Sequence, residues 1–214
     1  MIGFFRKDFY ALASLYKKNL ALVFVLYVVL TVSTGNPFFL YFLIWMLGFY
    51  SLSAISLDQS CGWDRYARTL PASPRQVVAA RYLITVGFMA LGAALALAVQ
   101  LIALDGQQAA LETVGAVPLV TAIAIVIISI MLPAAYKWGM EKARNGFLAL
   151  FAAVFAVPLL MEQGVLDDAL LERALNWLNA VSPAALVCFS LAAAILVCWI
   201  SYEIAWRIYK NQEF

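Results

Sequence analysis

The sequence predicts an all-α integral membrane protein with six transmembrane helices. Three observations carry that prediction. The 214 residues are 65% hydrophobic and 12% charged, with a mean hydropathy of +0.91, whereas a soluble domain carries about 25% charged residues. The apolar residues fall into uncharged runs of about 15–24 residues, near the ~20 needed to cross hydrocarbon as a helix. Between the runs, no polar stretch exceeds about 25 residues, so no second soluble domain is expected and 1–214 reads as one transmembrane domain.

Residues 1–19 come first. Ile2, Phe5, Phe9, Leu12 and Tyr16 recur at helical spacing, with Lys7, Ser14 and Lys18 on another face. That amphipathic pattern predicts a helix lying in the membrane interface; a soluble extension of the first span is the alternative. The charges ahead of the first long run, and the lack of a small-residue cleavage site after it, argue against a cleavable signal. The first span, Leu20–Thr34, is short, and Lys17 and Lys18 can snorkel to extend it. Residues 34–37, TGNP, form a tight turn. The second span is Phe38–Leu57, a charged loop fills 58–81, and the third span is Tyr82–Leu104. A polar loop at 105–116 precedes the fourth span, Val117–Tyr136, and a short basic loop occupies 137–145. The fifth span, Gly146–Met161, is again short. A polar segment at 162–182 follows, with helical spacing of Leu166, Leu170, Ala174, Leu178 and Val181. It reads as an outer surface helix or as helices re-entering under cover of protein. Ser182 and Pro183 open the sixth span, Pro183–Tyr202, as N-cap and first residue, and 203–214 is a polar tail.

Six spans place both termini on one side. That side holds thirteen of the fourteen basic residues, and the other holds only Arg173, while the twelve acidic residues divide six and six. The positive-inside rule therefore puts both termini and the 58–81 loop in the cytoplasm.

The absences narrow the function. There is no histidine, which removes His-based metal sites and Ser–His or Cys–His dyads. Neither a GxSxG turn, a Walker phosphate loop nor a Rossmann glycine pattern occurs. Cys61, Cys188 and Cys198 have neither disulfide-framework nor metal spacing. No catalytic, metal or cofactor-binding residue is expected, and a net charge of +2 gives no reason to expect nucleic acid. The six spans contain no Asp, Glu, Lys or Arg, so the chain offers no mid-membrane group for ion coupling. Active transport would need energy from another chain.

The loop gathers what charge there is: Asp58, Asp64, Arg65, Arg68, Arg75 and Arg81. Residues 61–69 alternate aromatic and ionic side chains. On a helix Trp63 and Tyr66 lie three apart, and Asp64 and Arg68 four apart, which permits an ion pair. Pro71 then stops that helix, and Ser73 and Pro74 start a new one leading through Arg75 into the third span. A short, rigid helix is thus expected just below the membrane, tied to two spans by short connections. A merely solvated positive loop would account for the arginines but not for Gly62-Trp63 or the two prolines.

The residues GWDRYARTLPASPRQVVAARYL resemble the corresponding loop of type 2 ABC exporter permeases, in the small bacterial branch with one six-span chain and a separate ATPase subunit. The matching positions are Gly62, Trp63, Asp64, Arg65 and Tyr66, then Leu70, Pro71 and Ser73, then Arg75 and Arg81-Tyr82; Pro74 stands where a basic residue is more usual. The resemblance covers the whole chain. It implies a bacterial cytoplasmic-membrane permease acting as a dimer with a second copy or a related permease. Gly62, Trp63, Asp64, Arg65, Tyr66 and Arg68 would form a coupling helix against an ABC ATPase subunit that holds ATP and Mg, with Pro71, Ser73 and Pro74 as its hinge. Residues 162–182 would close an outer gate, and cargo would pass between the subunits beside spans one, two and five.

Charge-free spans, apart from lipid contact, suit a peptide, drug or other amphipathic cargo. Two other classes stay open: a non-transporting scaffold or immunity protein that binds a partner through the loop, and a membrane-embedded enzyme. An adjacent ATPase gene would separate the first from transport, and activity without any partner would revive the second.

Overall fold

The structure is a computed structural model that describes residues 2–69, 73–103, 107–149, 152 and 182–211; the side chains of Asp64, Arg65 and Arg68 lie outside the described residues. Among these there are only helices and turns. In chain order they are α1 (Ile2–Thr34), α2 (Phe38–Ser60), α3 (Trp63–Thr69), α4 (Pro74–Ala103), α5 (Gln107–Trp138), a helical stretch over 140–149 called α6, and α7 (Pro183–Asn211). Among the described residues five helices are long and apolar enough to cross a membrane: α1, α2, α4, α5 and α7. The chain is therefore a multi-pass membrane protein. Of the expected fifth span only 146–149 and 152 are described, so most of that crossing and residues 162–181 lie outside the described residues, as does Pro71.

Four boundaries differ from the sequence reading, one of them the expected polar tail at 203–214, where α7 runs on to Asn211. The expected interfacial helix and first span are one unbroken helix, α1, because residues 2–34 hold no proline and no glycine after Gly3 to interrupt the ladder. The expected polar loop at 105–116 is helical from Gln107, since QQAALET is composed of good helix formers. The expected basic loop at 137–145 shrinks to Gly139, whose φ of 85° breaks the helix between α5 and α6. An L side chain is disfavoured there.

The predicted turn and helix starts are present. In the turn at 34–37, the Asn36 side-chain oxygen accepts from the Phe38 amide at 2.9 Å, just ahead of α2. At α4, the Gln76 amide donates to Ser73 Oγ and the Ser73 amide to Gln76 Oε1, each at 3.4 Å. This reciprocal pair is a capping box. Ser182 Oγ accepts from the Ala185 amide at 3.4 Å at the start of α7.

The bundle core joins α2, α4, α5 and α7 through Leu40, Ile44, Met89, Ile128, Leu132 and Tyr209, all buried. Small residues let the backbones close in. A Cβ on Gly92 would lie 3.2 Å from the Ile44 Cα, so α2 and α4 nearly touch there. α1 sits at the side. Its Leu12 packs with Ala54 and Ile84 in a second cluster, and the Tyr16 ring lies 4.7 Å from that of Tyr50.

One contact at the centre follows from a proline. Pro133 lies inside α5 and has no N–H, so the Ser129 carbonyl four residues back loses its helical donor. Ser201 on α7 donates to that carbonyl, and the Tyr82 hydroxyl on α4 bonds to Ser201 in turn. Three helices are thereby pinned at buried polar atoms. Ser201→Ala is expected to lower stability by about 1–2 kcal/mol, read as an earlier thermal transition in detergent. Ser201→Thr, which keeps the hydroxyl, should recover most of it.

Candidate functional site

The helix ends at the termini-bearing side of the bundle meet around the C-terminal end of α2. Gly62, with φ 65°, lets the chain reverse direction after α2 and enter α3 at once. α3 is the short helix expected from the loop sequence. Its Trp63 and Tyr66 rings lie 5.2 Å apart, Tyr66 is exposed, and Ala67 is buried.

Beneath α3 lies a closed square of four charges. Lys7 Nζ contacts Asp8 at 3.0 Å and Asp58 at 2.6 Å. Arg81 contacts Asp8 at 3.1 Å through Nη1 and pairs with Asp58 through Nη2. Charges alternate around the ring, so each carboxylate meets two cations and each cation two carboxylates. The residues come from α1, α2 and α4. Asp8, Asp58 and Arg81 are 3%, 9% and 5% exposed, while the Lys7 side chain keeps 27%. Burying an ion costs several kcal/mol even after relaxation, and the cost is offset only where partners are close and complete. The square is electroneutral with every edge present, which meets that condition in part: Asp8 Oδ1 and Arg81 Nη1 are buried with no hydrogen-bond partner among the described residues beyond these ionic contacts. Its open edge, at Lys7, is covered by the Trp63 ring, whose centroid is 4.3 Å from Nζ. The α3 tryptophan is thus the lid of the square.

Neighbouring residues extend the hub to the remaining helices. Gln59, next to Asp58, donates to the Ala135 carbonyl at 3.2 Å and accepts from the Met140 amide at 3.1 Å, bridging the α5–α6 break. At the start of α4, the Arg75 guanidinium lies 4.2 Å from the Trp206 ring centroid, and Tyr202 Oη donates to the Arg75 carbonyl at 3.4 Å. Residues 58–81 therefore touch α1, α5, α6 and α7.

The structure brings together Trp63 and Tyr66 as the sequence predicts, and it places Ser73 and Pro74 at the α4 start. The proposed Asp64–Arg68 ion pair lies outside the described side chains. The sequence reading missed the square and counted its members separately, Asp58 and Arg81 as loop charges. A signal was available: Asp8 is the only acid before residue 58, and Asp58 and Arg81 adjoin the apolar runs. No group of His, Cys, Asp or Glu among the described residues has metal-ligating geometry. What the arrangement does is tie α3, through Trp63 and Lys7, to a buried ion cluster that joins α1, α2 and α4.

The family model described as "ABC-2 family transporter protein" matches residues 3–210. No curated protein and no solved structure matches the chain.

Proposed function

The chain belongs to the ABC-2 transporter family, and from that premise we propose that it is the permease of an ATP-driven exporter whose separate ATPase subunit grips α3. The family is a membrane transport component that works with an ABC ATPase and is not itself catalytic. The observation that carries the finer reading is Trp63 over Lys7: the helix offered to a partner is wired to a buried square joining three spans. Two permease copies, or this chain with a related one, would enclose the pathway, with both termini in the cytoplasm. Nucleotide and Mg would sit on the partner. Uncharged spans favour a peptide, drug or other amphipathic cargo. Family membership favours transport over the membrane-embedded enzyme and the non-transporting scaffold.

Co-purification with the ATPase encoded beside it tests the reading. Charge reversal at both Asp64 and Arg65 is expected to abolish permease-stimulated ATP hydrolysis while membrane insertion stays intact. Normal stimulation and transport by that variant would remove α3 as the coupling element.

A further inference from the structure

A concave groove of about 470 Å³ opens between α4 and α7, floored by Ile125 of α5. This is within the about 300–1,000 Å³ range of small-molecule sites. Its walls are Ala79, Leu83 and Val86 on one helix and Ile195, Trp199 and Tyr202 on the other. The lining is apolar apart from the Tyr82 and Tyr202 hydroxyls and the Cys198 thiol. Tyr82 Oη bonds Ser201 and Tyr202 Oη bonds the Arg75 carbonyl, so both hydroxyls are already engaged.

Both walls continue one helical turn toward the basic end of the bundle, and each continuation carries a different chemistry. Arg75 lies four residues before Ala79, and Trp206 four residues after Tyr202, about 6 Å along each axis. The two meet face to face at 4.2 Å. A guanidinium stacked on an indole keeps its N–H edge free for a planar or tetrahedral anion. Arg75 is exposed, and among the described residues it has no acidic partner. The nearby Glu203 carboxylate accepts from the Trp206 indole at 2.8 Å. An oriented cation at the mouth of an apolar slot matches one molecule, with an anionic head and a hydrocarbon tail.

We infer that this groove holds an anionic phospholipid of the surrounding bilayer, its phosphate on Arg75 and one acyl chain between Leu83, Ile195 and Trp199. Charge complementarity favours lipid over a second copy of the chain. The basic end carries thirteen Lys and Arg against six acids, two of which, Asp8 and Asp58, are sealed in the ion square. A facing copy has few free carboxylates to meet Arg75, whereas an anionic leaflet supplies phosphate throughout.

Quenching of tryptophan fluorescence tests this on the full chain in vesicles. Dibrominated phosphatidylglycerol is compared with dibrominated phosphatidylcholine, and Trp199→Phe isolates the Trp199 contribution. Trp199 should be quenched by phosphatidylglycerol with an about fivefold higher relative binding constant, as one basic residue at a membrane surface provides. Arg75→Gln should abolish the preference, weakening quenching by phosphatidylglycerol more than by phosphatidylcholine, whose choline ammonium already offsets its phosphate. Ala79→Leu, which fills the groove without changing charge, should weaken quenching by both lipids. Equal affinity for the two lipids overturns the proposal, as does a preference that survives Arg75→Gln. Trp199 shielded from both lipids also overturns it, by showing a protein segment or a second copy in the groove. None of these readouts depends on an ATPase partner.

Discussion

Replacing Arg81 with leucine is expected to destabilise the protein by about 3–5 kcal/mol, the cost of removing one partner from a buried ion pair. Asp8 and Asp58 would then share only Lys7, and Asp8, the more buried of the two, would keep a single cation. The measurement is thermal unfolding in detergent, with a fall in folded yield. The same physics predicts the rescue. Arg81→Leu combined with Asp8→Leu and Asp58→Asn removes the stranded charges together, and Lys7, partly exposed, can turn to water. That triple variant should recover most of the lost stability, because a whole buried ion cluster is often replaceable by apolar residues at little cost. Failure of the rescue would show that the square acts through geometry rather than charge balance.

The second large effect separates stability from transmission. Trp63→Ala removes the cover over Lys7, a contact worth about 0.5–2 kcal/mol, and loosens α3 from the square. Stability should fall only slightly, because all four edges of the square remain. Permease-stimulated ATP hydrolysis should fall about tenfold, the factor that roughly 1.4 kcal/mol imposes on an equilibrium. Trp63→Phe, which keeps a ring over the ammonium, should retain a large share of the stimulation. If Trp63→Ala unfolded the protein as readily as Arg81→Leu, the tryptophan would be a core residue and not a link. The ATPase activity of each variant, measured beside its melting curve, decides between these.

Much of the architecture was legible because its causes are local. Runs of apolar residues give spans, TGNP gives the turn before α2, and Ser73, Pro74, Ser182 and Pro183 mark helix starts, the two serines through bonds to residues three positions away. The short α3 was legible for the same reason, as was the meeting of Trp63 with Tyr66. The continuity of α1 stood only as the alternative reading, since amphipathic spacing at 2–18 describes a helix face without saying what covers it. Leu12 and Tyr16 on that face meet α2 and α4. The ion square was hidden by distance along the chain. Lys7, Asp58 and Arg81 are 51 and 23 residues apart in succession, and only tertiary packing makes them neighbours. The partner of Pro133's orphaned carbonyl was hidden likewise, for Ser201 lies 72 residues from Ser129.

The unbroken length of α1 has a mechanical consequence. Its 33 residues make a rod of about 50 Å, held near one end at Lys7, Asp8 and Leu12 and braced further along where Tyr16 meets Tyr50. Near its far end Tyr27 packs on Phe39 and Phe42 of α2, so the rod is fastened to the bundle at three levels along its length. A sideways pull on its Lys7 end should therefore carry α1 and α2 together as one body rather than bend either helix alone.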